Sequence, residues 1–374
     1  MPCDARARVE RSARPALETV RHALEGGLGV RFEAERGQHF FRSTLVQTLF
    51  YGIFSAWVLW CTEHPVGDRA LFSWREAAWS LRVPMIRTLF EQIATPSQLT
   101  PLGLVEVLDW TAAALNRVDR ATFFTRFEEA HAVQYFYEPF LEAFDPELRK
   151  ELGVWYTPPE IVDYMVARVD TVLREELGRP DGLADPQVYV LDPCCGTGAY
   201  LLGVLRHINA TLRAKGEDAL SAVEFKRAAL EQVFGFELLP APFVVAHLQL
   251  GLLLQHLGAP LSRERDERAG VYLTNALTGW QPPATHRPHL PFPEMETERD
   301  AADRVKQTTP LLVILGNPPY NSFAGVGMGE ERDLSTAYRV AQHTRQPQGR
   351  ASTTCMCASC AWPSGASWRA PGRA

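Results

Sequence analysis

The sequence carries no excess of positive charge: 38 Lys and Arg stand against 44 Asp and Glu, for a formal net charge of -6. That excludes a chain that is itself one large polyanion-binding surface, although a local basic groove stays open. An apolar leader is also missing. The opening MPCDARARVERSARPALETV is charged and mixed, so nothing there has the h-region of a secretory signal. The seven cysteines are therefore expected as free thiols in a reducing, cytoplasmic compartment. No segment repeats within the chain. Long charge-free runs are scarce too. The one that invites a membrane reading, LVQTLFYGIFSAWVLWC (Leu45–Cys61), is short for a span, carries Gln47, Thr48 and Ser55, and follows Arg42. A buried core helix is expected there, and no membrane contact.

What is present divides in two. A length of 374 residues with 46% hydrophobic content suits two or three domains with real cores. Residues 1–30 are charged and weakly patterned, which suggests a loose helix or tail. From about Phe40 to Lys150 the apolar residues recur at three- and four-residue spacing, as in TPLGLVEVLDWTAAALNRV and DRATFFTRFEEAHAV, so residues 1–150 read as an all-helical module. Near Gly153 the pattern changes. VYVLDP (Val188–Pro193), VFGFEL (Val233–Leu238), VYLTNAL (Val271–Leu277) and PLLVILG before Asn317 are short apolar strands. Helical runs such as CCGTGAYLLGVLRHINATL and PAPFVVAHLQLGLLLQHL alternate with them. Alternation of this kind predicts an α/β fold with a doubly wound, mostly parallel sheet. The Pro- and charge-rich stretch Gly279–Val305 is expected as a loop before the fourth strand.

The chemistry concentrates at strand ends. The first strand closes on Asp192, followed by Gly196-Thr197-Gly198 and a helix. Ligands of open parallel sheets bind at the carboxyl ends of strands. This loop is neither of the common phosphate binders. Leu201 stands where G-x-G-x-x-G needs its third glycine, and no Gly-Lys-Ser/Thr follows, as a P-loop would require. The second strand ends in Glu237. Its carboxylate there suits a ribose diol, and equally suits the positive end of the helix that begins just after it. The fourth strand runs into Gly316-Asn317-Pro318-Pro319-Tyr320. Taken alone, that is a turn that stops a strand.

In order, four stretches resemble the S-adenosylmethionine-dependent N6-adenine DNA methyltransferases. GVWYTPPEIVDYMV looks like the motif before the first strand, LDPCCGTGAYL like the D-P-x-C-G-T-G loop, GFELLPAPFVVAHLQL like the segment with the ribose-binding acid, and GNPPY like the catalytic D/N-P-P-Y/F/W. Together they span Gly153–Tyr320. QYFYEPFLEAFDPELRKELGVWYTP further resembles the lead-in of large single-chain restriction-modification methyltransferases, which carry a helical module in front. The resemblance implies a Rossmann-like methyltransferase domain over residues 151–345. It implies cofactor contacts from Tyr156, Thr157 and Pro158, from the loop residues Asp192, Pro193, Cys195, Gly196, Thr197 and Gly198, and from Glu237. Asn275, at the end of the third strand, would hold the cofactor's adenine, unless it simply caps a turn.

The resemblance also gives the strand-end turn a purpose. An adenine N6 amine is a poor nucleophile, because its lone pair is delocalised into the ring. Acceptors on its two N–H groups draw the nitrogen towards a tetrahedral shape. The Asn317 side-chain oxygen and the Pro318 carbonyl are such acceptors. Pro318-Pro319 fixes the backbone beforehand, and Tyr320 offers a face for the base, worth about 1–3 kcal/mol. The partner implied is double-stranded DNA with a flipped adenine, with a restriction nuclease or translocase alongside. No metal and no catalytic thiol is required, so Cys194 and Cys195 are expected to pack the loop. A protein-glutamine methyltransferase shares Asn-Pro-Pro-Tyr, but its glycine loop reads more like D-L-G-x-G-S-G. A catalytically inactive modification fragment is a third reading.

That third reading rests on the tail. After Arg350 the chain reads ASTTCMCASCAWPSGASWRAPGRA, with Cys355, Cys357 and Cys360 in C-x-C-x-x-C spacing and no convincing fourth ligand for zinc. A shift of reading frame accounts for it better. Shifted by one base, the Ser, Cys, Met and Trp codons give a middle T, which encodes apolar residues, and an amphipathic helix opened by Asn-Asp emerges. On this reading residues 351–374 are a frameshifted tail, and the rest of the sheet and a target-recognition domain belong beyond residue 374.

Overall fold

The computed structural model describes residues 15–32, 34–81, 83–95, 99–100, 103–129, 140, 142–145, 157–216, 219–262, 264–282 and 289–318. Tyr156, Pro319, Tyr320 and the tail 351–374 lie outside these described residues.

The chain opens with α1 (Pro15–Leu28). The loose helix or tail expected here is a helix, and a packed one: Leu17, Val20, Leu24 and Leu28 are buried on one face at helical spacing. Four apolar residues on one stripe are enough to seat a helix whose other faces are charged. The long α2 (Ala34–Glu63) contains the apolar run that resembles a membrane span. It is a core helix, with 78% of its most apolar stretch buried inside the fold. Three of its buried polar residues are satisfied within the protein, while the buried Ser55 hydroxyl meets no partner among the described residues. Ser43 Oγ donates to Asp145 Oδ2 at 2.9 Å, Gln47 Nε2 to Ser43 Oγ at 3.1 Å, and Thr48 Oγ1 to the Thr44 carbonyl at 2.7 Å. After a 3-10 turn (Trp74–Glu76) and a single helical turn (Ala77–Ser80) come helices α3 (Pro84–Ile93), α4 (Val105–Leu115) and α5 (Arg120–Glu129).

The second half alternates as the pattern of strands and glycines foretold. In chain order come α6 (Pro159–Glu175), β1 (Val190–Asp192), α7 (Ala199–Lys215), α8 (Ala219–Glu231), β2 (Val233–Glu237), α9 (Pro240–His256), β3 (Val271–Leu273), α10 (Pro293–Thr308) and β4 (Val313–Ile314). The four strands form one sheet in the order β3-β2-β1-β4. Every pairing is parallel: Val190 lies beside Val233 and Val313, and Gly235 beside Val271. Strand side chains alternate between two faces. Val190, Val233, Val271 and Leu273 join the large core with α7 and α9. Leu191, Phe234 and Phe236 point to the other face, where Val305 of α10 covers them.

Helix α10 falls in the stretch expected to be a loop. Its covered face holds Met295, Ala302 and Val305, together with the buried charged residues Glu298 and Lys306. Arg268 pairs with Glu298 at 2.5 Å, and the Leu273 amide donates to Glu298 Oε1 at 2.9 Å. A helix that docks through ion pairs leaves little apolar periodicity to read. The helical and sheet regions share their interior, because α2 packs on α9 and α1 on α10. One continuous core cluster runs from Leu17 to Leu315.

Candidate functional site

β1 lies inside the sheet, and the chain leaves it on one side for β2 and β3 and returns on the other as β4. Such a reversal opens a crevice at the carboxyl ends of the strands. Asp192 ends β1, Glu237 ends β2, Asn275 lies two residues past β3, and Asn317 three residues past β4. Residues far apart in sequence are thus brought to one edge of the sheet by its topology.

The loop after β1 is shaped by backbone. Gly196 and Gly198 hold φ of 56° and 92°, left-handed values that suit glycine. The Cys195 amide donates to the Phe236 carbonyl at 2.9 Å, and the Gly198 amide to the Cys195 carbonyl at 2.8 Å. Gln249 Nε2 of α9 donates to the Thr197 carbonyl at 2.6 Å, and Pro193 is half-buried. The loop is therefore tied to β2 on one side and to α9 on the other. Cys61, Cys194 and Cys195 are free thiols. Burial, and then the carboxyls of Asp192 and Glu237, push the Cys195 thiol far up, so it packs the loop and does not act as a nucleophile.

Two buried carboxyls face this loop. Asp192 Oδ1 accepts from the Cys194 amide at 3.0 Å. Glu237 Oε2 accepts from the Gly196 amide at 2.9 Å, and Oε1 from the Leu239 amide at 2.8 Å. Leu239 caps α9, so Glu237 serves the start of that helix and the glycine loop together. Burial pushes Asp192 up to about 8, against the Cys194 amide and with help from the Glu237 charge. It pushes Glu237 up to about 7, against the amides of Leu239, Gly196 and Leu238. A ligand bringing hydroxyl donors or positive charge to this place would favour the ionised carboxylates and draw both groups back towards their ordinary range.

The lead-in motif and the last strand meet at this edge. The Asn317 side chain donates from Nδ2 to Thr157 Oγ1 at 3.2 Å, across 160 residues of sequence. Pro158 caps α6 in an extended conformation and Pro159 opens the helix, so proline geometry sets the direction in which Thr157 leaves it. A β-carbon on Gly316 would stand 2.4 Å from Asp192 Oδ1; only glycine lets the tip of β4 lie against the end of β1. Pro318 is half-buried beside Asn317. Tyr156, Pro319 and Tyr320 lie outside the described residues.

Asn275 is buried, with its Oδ1 accepting from the Leu277 amide at 3.0 Å, an Asx turn. Beside it stands a residue that the sequence did not single out. The Lys306 ammonium is buried and donates to Thr274 Oγ1 at 2.7 Å and to the Asn275 carbonyl at 2.9 Å, 5.1 Å from the Phe236 ring centre. Its only local signal is Asp303 one turn earlier, 3.8 Å away.

Known proteins resemble this chain in sequence and in fold. Residues 128–256 match the family model described as N-6 DNA Methylase. That span includes the lead-in, the glycine loop and the Glu237 segment, and stops short of Asn317. Over 199 residues the chain is 26% identical to the type I restriction enzyme EcoEI methylase subunit of Escherichia coli, covering 50% of this chain and 35% of that one. In fold it is similar to the ATP-dependent Type ISP restriction-modification enzyme LlaBIII bound to DNA, with a TM-score of 0.64 at 18% identity over 96% of this chain and 22% of that one. It is similar also to a nuclease-deletion mutant of the Type ISP enzyme LlaGI with a DNA substrate mimic, with a TM-score of 0.61 at 17% identity over 97% and 27%. A third is DrdV in a DNA complex, with a TM-score of 0.61 at 19% identity over 97% and 32%. The chain thus spans about a third or less of the length of these relatives. The likeness in fold takes in the helical region as well as the sheet, and the resemblance read from the four motifs is borne out.

Proposed function

We propose that this chain transfers a methyl group from S-adenosylmethionine to adenine N6 in DNA, as part of a restriction-modification system. The single observation that carries the reading is the bond of Asn317 to Thr157 at the same strand edge as Asp192 and Glu237. It sets Thr157 and Asn317, one from the first motif and one from the last, beside the strand edge that carries the other two. Residues 151–345 are then a Rossmann-like methyltransferase domain, of which the β3-β2-β1-β4 sheet is the first part, and residues 1–150 are its helical lead.

The cofactor supplies an electrophilic methyl on a sulfonium. Glu237 would take the ribose hydroxyls, and the Asp192–Gly198 loop would hold the amino-acid part. The Asn317 side-chain oxygen and the Pro318 carbonyl each accept an N–H of the flipped adenine. Once both N–H bonds are engaged, the nitrogen lone pair is turned out of the ring system towards the methyl. Positioning supplies most of the rate, since no acid or base must act before the transfer. The N6 proton left over passes to water. Tyr320 would stack on the base. The DNA-bound and ATP-dependent relatives support double-stranded DNA as substrate and a nuclease or translocase as partner, in the cytoplasm.

Radiolabelled methyl transfer to DNA, run beside Asn317→Ala, tests this. The wild type labels adenine, and the variant loses at least about a hundredfold in rate, as removal of one pre-placed polar group in a site commonly costs. Equal rates in the two would end the catalytic assignment. Label on a release factor in place of DNA would establish the glutamine methyltransferase reading.

A further inference from the structure

Thr157 stands, by family resemblance, against the methionine part of the cofactor. In the structure its hydroxyl oxygen accepts from Asn317 Nδ2 at 3.2 Å. We propose that Thr157 is a positioning residue for Asn317, holding the amino end of that carboxamide so that its carbonyl oxygen faces the amine to be methylated. This rests on the functional reading above and gives Thr157 a role in it that neither the motif nor the sheet alone suggests.

A carboxamide is nearly symmetric in shape and opposite in chemistry at its two ends. Rotation by half a turn about its last bond exchanges an acceptor for a donor with little change in volume. At most positions that exchange costs one hydrogen bond. Opposite an amine whose N–H groups must be accepted, it sets donor against donor and removes the polarisation of N6. Something other than packing must therefore choose the end.

A hydroxyl can pair with either end of a carboxamide; here the Thr157 oxygen accepts, which puts the amino end on its side. Thr157 adjoins the start of α6, where the Ile161 and Val162 amides bond to the carbonyl of the next residue, Pro158, at 3.0 and 3.1 Å. On the other side, the Leu315 amide donates to the Leu191 carbonyl at 3.0 Å, and Gly316 lies against Asp192. Asn317 is thus carried just past backbone that is tied to β1. The Thr157 hydroxyl engages its side chain.

The test uses the full chain and two substitutions. Thr157→Val keeps the shape and removes the hydroxyl, and Thr157→Ser keeps the hydroxyl. Three quantities are measured: the rate constant of methyl transfer under saturating DNA and cofactor, the affinity for S-adenosylhomocysteine by calorimetry, and solvent exchange of the Asn317 side-chain NH2 by nitrogen-15 NMR. Thr157→Val should lower the rate constant roughly tenfold or more, leave S-adenosylhomocysteine affinity within about twofold, and speed Asn317 NH2 exchange. Thr157→Ser should restore the rate and slow the exchange. In an Asn317→Ala background Thr157→Val should cost nothing further, because the residue it acts through is gone.

A valine variant with weakened S-adenosylhomocysteine affinity and an intact rate constant would overturn the proposal and return Thr157 to the cofactor. So would additive losses in the double variant, or Asn317 NH2 exchange that the valine leaves unchanged. A wild type that folds, protects the Asn317 NH2 and methylates no DNA would end the functional reading. The NMR comparison would then still decide whether Thr157 orients Asn317.

Discussion

The α-carbon of Gly316 faces the Asp192 carboxyl at a separation that admits no side chain: a β-carbon would stand 2.4 Å from Oδ1. The end of β1 and the beginning of the Asn-Pro-Pro-Tyr turn are therefore one packed unit. Gly316→Ala must displace either the carboxyl or the turn. It should lower stability by about 1–3 kcal/mol, as overpacking does, and reduce methyl transfer more steeply than it reduces stability. Urea unfolding beside a rate measurement separates the two effects. A variant as active as the wild type would mean that the turn tolerates a shift.

The raised carboxyls predict a pH dependence. In the fold Asp192 keeps its proton to about 8 and Glu237 to about 7, because burial disfavours their charge. In the unfolded chain both lose it near pH 4. The folded state therefore binds more protons across that window, and this contribution to stability falls as pH rises through it. Asp192→Asn removes the larger share while its side-chain oxygen can still accept from the Cys194 amide. Its thermal midpoint should decline less than that of the wild type between pH 6 and pH 8.5. Parallel curves would show that Asp192 ionises freely in the fold.

Helix α10 should depend on one ion pair. Glu298 is buried and Arg268 half-buried, and the Glu298 carboxylate also takes the Leu273 amide. Glu298→Ala leaves the guanidinium without its counter-charge, a change that costs about 3–5 kcal/mol in a fully buried pair and about 1–3 kcal/mol for a half-buried one. Chemical denaturation should show that loss. A loss under about 1 kcal/mol would mean that water reaches Arg268 when the carboxylate is gone.

Lys306→Met keeps the apolar stem against Phe236 and withdraws the donor from Thr274 and the Asn275 carbonyl. An unsatisfied buried polar group costs about 1–3 kcal/mol. The turn at Asn275 should loosen, and S-adenosylhomocysteine should bind several-fold more weakly in calorimetry. Unchanged affinity would place the cofactor's adenine away from Asn275.

The sequence revealed the strand tips because each is punctuated. Asp192 stands before a glycine loop, Glu237 before a proline-started helix, and Asn317 before a proline pair. Those signals are local and survive without a structure. Of the two uses expected for Glu237, the structure shows the one at the helix start, with the carboxylate anchoring the glycine loop as well. Partnership across distance was not legible. Nothing near Thr157 says that its hydroxyl meets Asn317, and nothing near Gly316 says that Asp192 lies against it. The two misread segments have different causes. α1 was taken as loose because its buried stripe is narrow, one residue per turn among charges. α10 was taken as a loop because Glu298 and Lys306, which read as surface residues, are the ones that dock it.

The strand order has a consequence for how such a chain is made. Val190 pairs with Val233 on one side and with Val313 on the other, so β1 is an edge of the sheet until β4 arrives. At about 5–20 residues per second of synthesis, the 123 residues from Val190 to Val313 take roughly six to twenty-five seconds to emerge. For that time β1 presents an open row of backbone donors and acceptors, the kind of edge on which chains aggregate. The step that closes that edge is also the one that brings Asn317 to Thr157, so protection of the nascent sheet and completion of the site occur together.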